Sequence, residues 1–502
     1  MPSVDADASL AATTVQVTEG WLVGYQNDKV RIFKGIPYAA PPVGSLRWKP
    51  PQPVEPWVTP RNAQSFGFDC LQNRPKWDKT LSAMAMNEDC LTLNIWTPVP
   101  DSSEERFPVM VFIHGGGFVI GSASQPMFDG YALSARGAVI VSFNYRIGRF
   151  GFFSHPQLTE ESGGEAVANF GIMDQIAALR WVRDNIAKFG GDPENVTIFG
   201  ESAGGASVAH LMIIESAQGL FHKAVIQSGG GRLKWGSFDP KGEDPGAEAA
   251  GLAFVKTLRR GNIGLDELRA LSADEILGDV SFSKLRSKTY SGPVIDGRLI
   301  KAEFIEQFEA GAEAKMPLLI GANSAELSHM GFLPQFFIRR AIKKGLKAQL
   351  SDLKDAYGSA KRFDENIINH WGFVEPARTM AIAHTEHGGK AYLYEFDYVL
   401  ASQAKKLKGA PHASELPFVF DTLASVDASP SPEDEAIADL MADAWVSFAR
   451  TGVPQLPEQG VWDAYDPEQD QRVTITANGA APKTVSDAPA LDVLASIGRV
   501  QP

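Results

Sequence analysis

The chain has 502 residues, enough for two to four average domains, although large α/β enzymes run to this length as one unit. Hydrophobic residues make up 44% and charged residues 21%, which permits a large core and excludes bulk disorder. The formal net charge of −13 excludes a basic nucleic-acid footprint, and no apolar run approaches the ~20 residues that span a bilayer.

Met1 to Thr14 has neither a positive n-region nor an apolar h-region, so no signal peptide is read there. Pro108 to Ile113 is a short apolar run that ends in His114-Gly115-Gly116-Gly117. Ala138 to Phe143 is a second, β-branched run. Ile172 to Lys188 reads as a helix, with Ile172, Ile176, Leu179 and Ile186 on one face. Asn195 to Phe199 is strand-like, and Ala206 to Glu215 follows as a helix. Ala224 to Gln227, Leu318 to Ile320 and Ala391 to Phe396 are further strands. Ser431 and Pro432 form an N-cap and first-turn pair, opening a helix that Gly452 and Pro454 close. Strands alternating with helices predict an α/β fold, a mostly parallel sheet covered on both faces. No linker divides the chain, so residues 1–502 are expected to form one domain. Two helix-rich stretches, about 236–316 and 334–371, read as cap insertions.

Gly200-Glu201-Ser202-Ala203-Gly204 fits the pattern of a nucleophile on a sharp strand-to-helix turn. Glycines two before and two after Ser202 let neighbouring backbone pass close, and the helix aims its first N–H groups at a developing oxyanion. The glycine run at 115–117 permits backbone conformations closed to other residues, and no Lys-Ser or Lys-Thr follows it as a phosphate loop would need. The N–H groups of Gly116, Gly117 and Ala203 are therefore the expected oxyanion hole. A serine nucleophile needs a base and an acid to orient it, on this fold in the order Ser, acid, His. By residue type alone His210, His222, His329, His370, His384, His387 and His412 are equal candidates. No Cys-x-x-Cys or His-Glu-x-x-His pattern indicates a metal, and no cofactor is expected.

Longer motifs break the tie. Phe189–Gly204 (FGGDPENVTIFGESAG), Glu88–Trp96 (EDCLTLNIW), Phe33–Ala39 (FKGIPYA) and Pro41–Gly44 (PPVG) resemble the type-B carboxylesterases, a family that includes cholinesterases and bacterial para-nitrobenzyl esterases. The resemblance covers nearly the whole chain and implies an α/β-hydrolase fold. Gly409–Phe420 (GAPHASELPFVF) resembles the family's histidine loop, which makes His412 the base; Ala413 stands where the family usually has glycine. Ile320–Glu326 (IGANSAE) resembles its acid loop and makes Glu326 the acid, with Ala325 and Leu327 in place of the usual Asp and Gly. The resemblance also implies a supporting polar role for Glu201 in the site, and for Ser228 a role through hydrogen bonding, not as a second nucleophile. It implies a Cys70–Cys90 disulfide closing the loop that carries Trp77, and structural ion pairs Arg47–Glu88 and Arg146–Asp174.

Expected, then, is hydrolysis of carboxylic esters with an uncharged acyl group, through an acyl-enzyme on Ser202. The alternatives are a specialised hydrolase of amides, carbamates or a bulky polyester or toxin ester, and a non-catalytic binding protein of cholinesterase type. Trp77, Leu81, Met84 and Met86 either line a pocket or anchor their loop; Trp235, Phe332, Phe336 and Phe337 are further pocket candidates, with helical spacing favouring plain packing for the phenylalanines. The partner is a small-molecule ester, with no nucleic acid and no membrane span, and the oligomeric state is not readable. A disulfide favours an oxidising compartment, so the expectation leans to a secreted or periplasmic protein, with a cytoplasmic one kept open.

Overall fold

The structure, a computed structural model, describes residues 11–500 apart from 77, 103, 233–234, 243, 262, 286, 329–331 and 457–459; Trp77, His329 and the side chain of Phe332 lie outside the described part. The chain divides into two compact units. Met1–Phe199, His210–His222 and Trp235–Glu303 form the first, and Gly200–Ala209, Lys223–Lys234 and Phe304–Pro502 form the second.

In the first unit the strands are β1 (Ala11–Gln16), β2 (Trp21–Gln26), β3 (Val30–Pro37), β4 (Thr92–Pro98), β5 (Phe107–Ile113), β6 (Val139–Phe143) and most of β7 (Gly191–Glu201). Their order is β1-β2-β3-β4-β6-β5-β7. β1 through β4 and on to β6 pair antiparallel; β5 and β6 pair parallel, with Val109 opposite Val139 and Ile113 opposite Phe143. FPVMVFI and VIVSF are buried at every position, as strands covered on both faces require.

The helix expected at 172–188 spans Phe170–Asn185 and tightens into a single turn, Ile186–Phe189. Gly190, at φ 88°, ends it in the left-handed conformation that costs glycine least. The two ion pairs expected from the sequence are present. Arg146, just past β6, donates from its backbone N, Nε and Nη2 to the buried Asp174 carboxylate in this helix. Arg47 pairs with Glu88 and also donates to the carbonyls of Arg269 and Leu271. Cys70 and Cys90 are bridged.

In the second unit β8 (Lys223–Gln227), β9 (Leu318–Asn323), β10 (Ala391–Phe396) and β11 (Gln471–Thr476) are parallel neighbours, and β12 (Gly479–Thr484) closes antiparallel. The helix Glu375–Glu386 packs on β9 and β10. The helix Pro432–Thr451 begins and ends where the sequence placed it. Ser431 Oγ accepts from Asp434 N at 3.1 Å, Asp434 returns the bond, and Gly452 caps the end at φ 78°. Between 236 and 316 lie the helices Ala247–Thr257, Leu265–Arg269, Ala273–Leu277 and Phe304–Glu309; around 334–371 lie Phe332–Gly345, Leu350–Ala356 and Ala360–Asn369. A mixed sheet with parallel middle strands, flanked by helices and interrupted by helical insertions, is the α/β-hydrolase fold. Among the described residues no helix is long and apolar enough to cross a membrane.

Candidate active site

The second unit gathers its polar groups at the C-terminal ends of its parallel strands. Ser202 follows β7 and has φ 55°, a left-handed conformation in a non-glycine residue. Its N–H bonds Gln227 O at 3.0 Å, and the helix Ala203–Leu211 begins at the next residue, earlier than the sequence suggested. The reason is steric. With Ser202 itself making the turn, no intervening loop is needed, and the backbone of the helix passes against β8. A Cβ on Gly205 would come within 2.8 Å of Gln227 O and 2.9 Å of Gly229 Cα, so this position must be glycine. The Ala203 N–H is among those that head the helix without an intrahelical acceptor.

Ser228, just past β8, and Glu326, in the loop after β9, meet: Ser228 Oγ donates to Glu326 Oε1 at 2.7 Å, and Asn323 N donates to the same oxygen at 2.7 Å. Glu326 is fully buried. Its other oxygen, Oε2, lies 2.5 Å from His412 Nδ1, and His412 N donates to Glu326 O at 2.7 Å. The acid loop and the histidine loop are thus tied through both side chain and backbone. Ala325 N bonds Ala410 O, and Ala410 N bonds Ser324 Oγ. Ala325, at a family departure, is therefore compatible with a closed acid loop. At the other departure, Ala413 has φ 62°, which is the conformation that a glycine would take without strain.

Glu201 points inward. It is buried, with Oε1 3.1 Å from His412 Nε2, which rules out an outward-facing carboxylate at the start of the helix. Burial, together with the Glu415 and Glu326 charges, pushes its carboxyl up to about 8 against the opposing effect of His412. For His412, burial works downward, but Glu201, Glu326 and Glu415 outweigh it and raise the imidazole to about 10.

Three further residues of this constellation were not found from the sequence. Glu415 is fully buried, accepting from Gln227 Nε2 at 3.1 Å and Asn323 Nδ2 at 2.6 Å, while Trp445 Nε1 donates to Gln227 Oε1. Asn369 accepts from Glu326 N and donates to Ser324 O, clamping the acid loop from behind. Phe373 lies in a wide π turn, His370–Val374, and its ring is 5.1 Å from that of His412. Glu415 had a signal, a carboxylate three residues after His412 at the head of an apolar run; Asn369 and Phe373 had none, since nothing local ties Asn369 to the acid loop well before it or Phe373 to the histidine loop well after it.

Three of the other candidate histidines have structural places. His384 faces Glu313 and Met316 O, His370 meets Tyr357 Oη, and the His210 ring lies 4.0 Å from that of Trp235, tilted by 49°.

In the first unit the glycine turn after β5 has Gly116 at φ 105° and Gly117 at φ 61°; Val119 N and Ile120 N both bond Gly116 O. Gln72, inside the disulfide loop, exchanges hydrogen bonds of 2.9 Å with both the N–H and the C=O of Gly121. The bridged loop therefore holds the far end of the glycine turn. Within that loop Leu81 and Met84 are half-buried and Met86 is exposed. Trp235 packs edge-on against Phe118. Phe336 and Phe337, expected to be packed, are instead 42% and 63% exposed. Their helix buries the Ile338 and Ile342 side, so the two phenylalanines fall on the outer one.

An α/β-hydrolase fold with a buried carboxylate–imidazole couple, and a serine on a strained strand-to-helix turn, defines the class of serine hydrolases. The model of the carboxylesterase family matches residues 11–352 and 334–491. The chain is 34% identical to para-nitrobenzyl esterase of Bacillus subtilis (strain 168), over 89% of this chain and 92% of that one. It is 33% identical to fumonisin B1 esterase of Sphingopyxis macrogoltabida, over 89% of this chain and 83% of that one. Among solved structures, a PNB esterase superposes with a TM-score of 0.82 at 32% identity, covering 96% of this chain and all of that one. A carboxylesterase of Geobacillus stearothermophilus gives 0.81 at 35%, with the same coverage. The chain belongs to the carboxylesterase family, and it is a carboxylic ester hydrolase.

Proposed function

We propose that Ser202, His412 and Glu326 are the catalytic triad of this esterase and that its substrates are small-molecule carboxylic esters with an uncharged acyl group. The observation that carries the reading is the 2.5 Å contact between Glu326 Oε2 and His412 Nδ1, in the same unit as Ser202 on its left-handed turn. Glu326 fixes the tautomer with the proton on Nδ1, leaving Nε2 to act as base. His412 takes the Ser202 proton as Oγ attacks the ester carbonyl. The oxyanion is stabilised by the N–H groups of Gly116, Gly117 and Ala203, and loss of one such donor typically costs on the order of 10²–10³ in rate. His412 then protonates the departing alcohol, and water repeats the sequence on the acyl-enzyme. Glu201 sets the charge felt by His412, and Ser228 holds the Glu326 carboxylate. The helical stretches 236–316 and 334–371 act as caps, and the Cys70–Cys90 bridge favours a secreted or periplasmic protein.

A bulkier ester is the second reading. It rests on the similarity to fumonisin B1 esterase, which is as strong as that to para-nitrobenzyl esterase.

The test is hydrolysis of p-nitrophenyl acetate, butyrate and octanoate by the protein and by Ser202→Ala, alongside labelling with a fluorophosphonate. Turnover that vanishes in the variant, with one label per chain at Ser202, is expected, and the chain-length profile sizes the acyl pocket. A folded protein with neither turnover nor label would overturn the triad.

A further inference from the structure

Arg149 sits in the short helix Gly148–Gly151, shortly after β6, and its side chain is buried. A guanidinium taken out of water is costly unless its donors are engaged. All five N–H donors of Arg149 are engaged, and every acceptor lies between residues 276 and 289. Nη1 donates to Ile276 O at 3.1 Å and to Leu277 O at 3.0 Å. Nη2 donates to Asp279 Oδ1 at 3.1 Å and to Thr289 Oγ1 at 3.0 Å, and Nε donates to Thr289 O at 3.2 Å. The guanidinium carbon lies 4.4 Å from the Phe254 ring centre.

Gly278, at φ 49°, leaves room for this side chain, since a Cβ there would come within 2.9 Å of Arg149 Nη1. Ser287 and Tyr290 exchange backbone bonds, and Asn73 Nδ2 donates to Gly278 O and Val280 O. One side chain thus gathers both ends of the segment 277–289. Its own helix is tied to the glycine turn after β5, where Gly148 N donates to Phe118 O at 2.7 Å. The middle of the segment reaches the same turn. Leu285 lies over Gly117, where a Cβ would meet Leu285 Cδ2 at 2.7 Å, and it is still 41% exposed. All of these contacts fall within the first unit.

A planar fork of fixed donors holds two stretches of backbone at once, which a single ammonium cannot. An apolar side chain beside an oxyanion donor is within reach of the groups that flank a bound carbonyl. We propose that Arg149 is a positioning residue for substrate discrimination. By holding both ends of the segment 277–289 it sets Leu285 over Gly117, where Leu285 limits the size of a group carried by the ester. This rests on the reading of the Gly117 N–H as an oxyanion donor. An arginine that only filled the core would, on removal, change all esters alike.

The experiment measures kcat/KM in two series. p-Nitrophenyl acetate, butyrate and octanoate vary the acyl side; methyl, butyl and octyl acetate vary the alcohol side. Leu285→Ala should raise the long-to-short ratio in one series by about tenfold, the low end of what a methylene-sized change gives in an apolar pocket. Arg149→Lys should raise the same ratio. Combining the two should raise it no further than Leu285→Ala alone, because the same wall is lost only once. Thr289→Ala removes one acceptor and leaves the guanidinium in place. It should raise the ratio less, and it carries the test if circular dichroism shows Arg149→Lys unfolded. Ratios at wild-type values in Leu285→Ala or Thr289→Ala, or effects of Arg149→Lys and Leu285→Ala that simply add, would overturn the proposal while wild-type labelling at Ser202 stands. A wild type that neither turns over nor takes the fluorophosphonate would overturn the triad reading, and this inference with it.

Discussion

His412 sits between two carboxylates, Glu326 at Nδ1 and Glu201 at Nε2, and that arrangement sets the pH at which it can act. In the proposed triad the imidazole accepts the Ser202 proton only when neutral, and the surrounding carboxylates raise its pKa to about 10. Glu201→Gln removes one of these charges, so the imidazole loses its proton more readily. The acid limb of kcat/KM for p-nitrophenyl acetate should move to lower pH. A limb that stays put or moves upward would show that Glu201 does not set the basicity of His412. Ala413 makes a second residue-scale point. A left-handed conformation costs an L-residue about 1–2 kcal/mol, and glycine would add about 0.5–1 kcal/mol of chain entropy to the unfolded state. Ala413→Gly should therefore stabilise, by less than about 1.5 kcal/mol, with the imidazole retained; a lowered denaturation midpoint would contradict this.

At the scale of elements, short loops rather than helices carry the proposed acid and base in the second unit, and loops in both units are held by bonds to other parts of the chain. The acid loop is tied to the histidine loop and to Asn369; the glycine turn after β5 is tied to Gln72 in the disulfide loop. The bridge between Cys70 and Cys90 spans a sequence separation of 20, for which the chain-entropy account gives about 3 kcal/mol. Cys70→Ser combined with Cys90→Ser should lower stability by about that much in urea titration. It should also reduce kcat, because Gln72 would no longer hold Gly121. A stability loss with unchanged turnover would separate the bridge from the glycine turn. The elements themselves were largely legible: β10 and the helix Pro432–Thr451 fall where periodicity and caps put them. The start of the helix after Ser202 was misjudged by three residues, because propensity sees Gly204 and Gly205 as breakers while the close approach to β8 requires Gly205 there.

For the molecule as a whole, the net charge of −13 gives a field that repels anions at distances up to the screening length, about 8 Å at physiological salt. Hydrolysis of an anionic ester such as a p-nitrophenyl hemisuccinate should therefore speed up in kcat/KM as salt is added, while that of p-nitrophenyl acetate stays level. An anionic ester that slows with salt would mean that a local cationic field governs substrate entry.

The sequence alone determined the class of fold and the family, because these depend on information that is local along the chain. The alternation of apolar runs with helical stripes, a glycine-flanked serine at a strand end and long contiguous motifs can each be read within one window. Residue type did not distinguish the seven histidines; it took a family motif to single out His412, and the folded loops bring its Nδ1 to Glu326. Glu201 turning inward, Glu415 bonded to Gln227 and Asn323, and Asn369 clamping the acid loop were decided only in the tertiary structure. The reason is physical: a buried polar group must find its partner wherever the fold supplies one, and that partner is set by packing across strands rather than by spacing along the chain. The exposure of Phe336 and Phe337 belongs with these, since helical spacing gives a residue its face, and only the neighbours decide whether that face is covered.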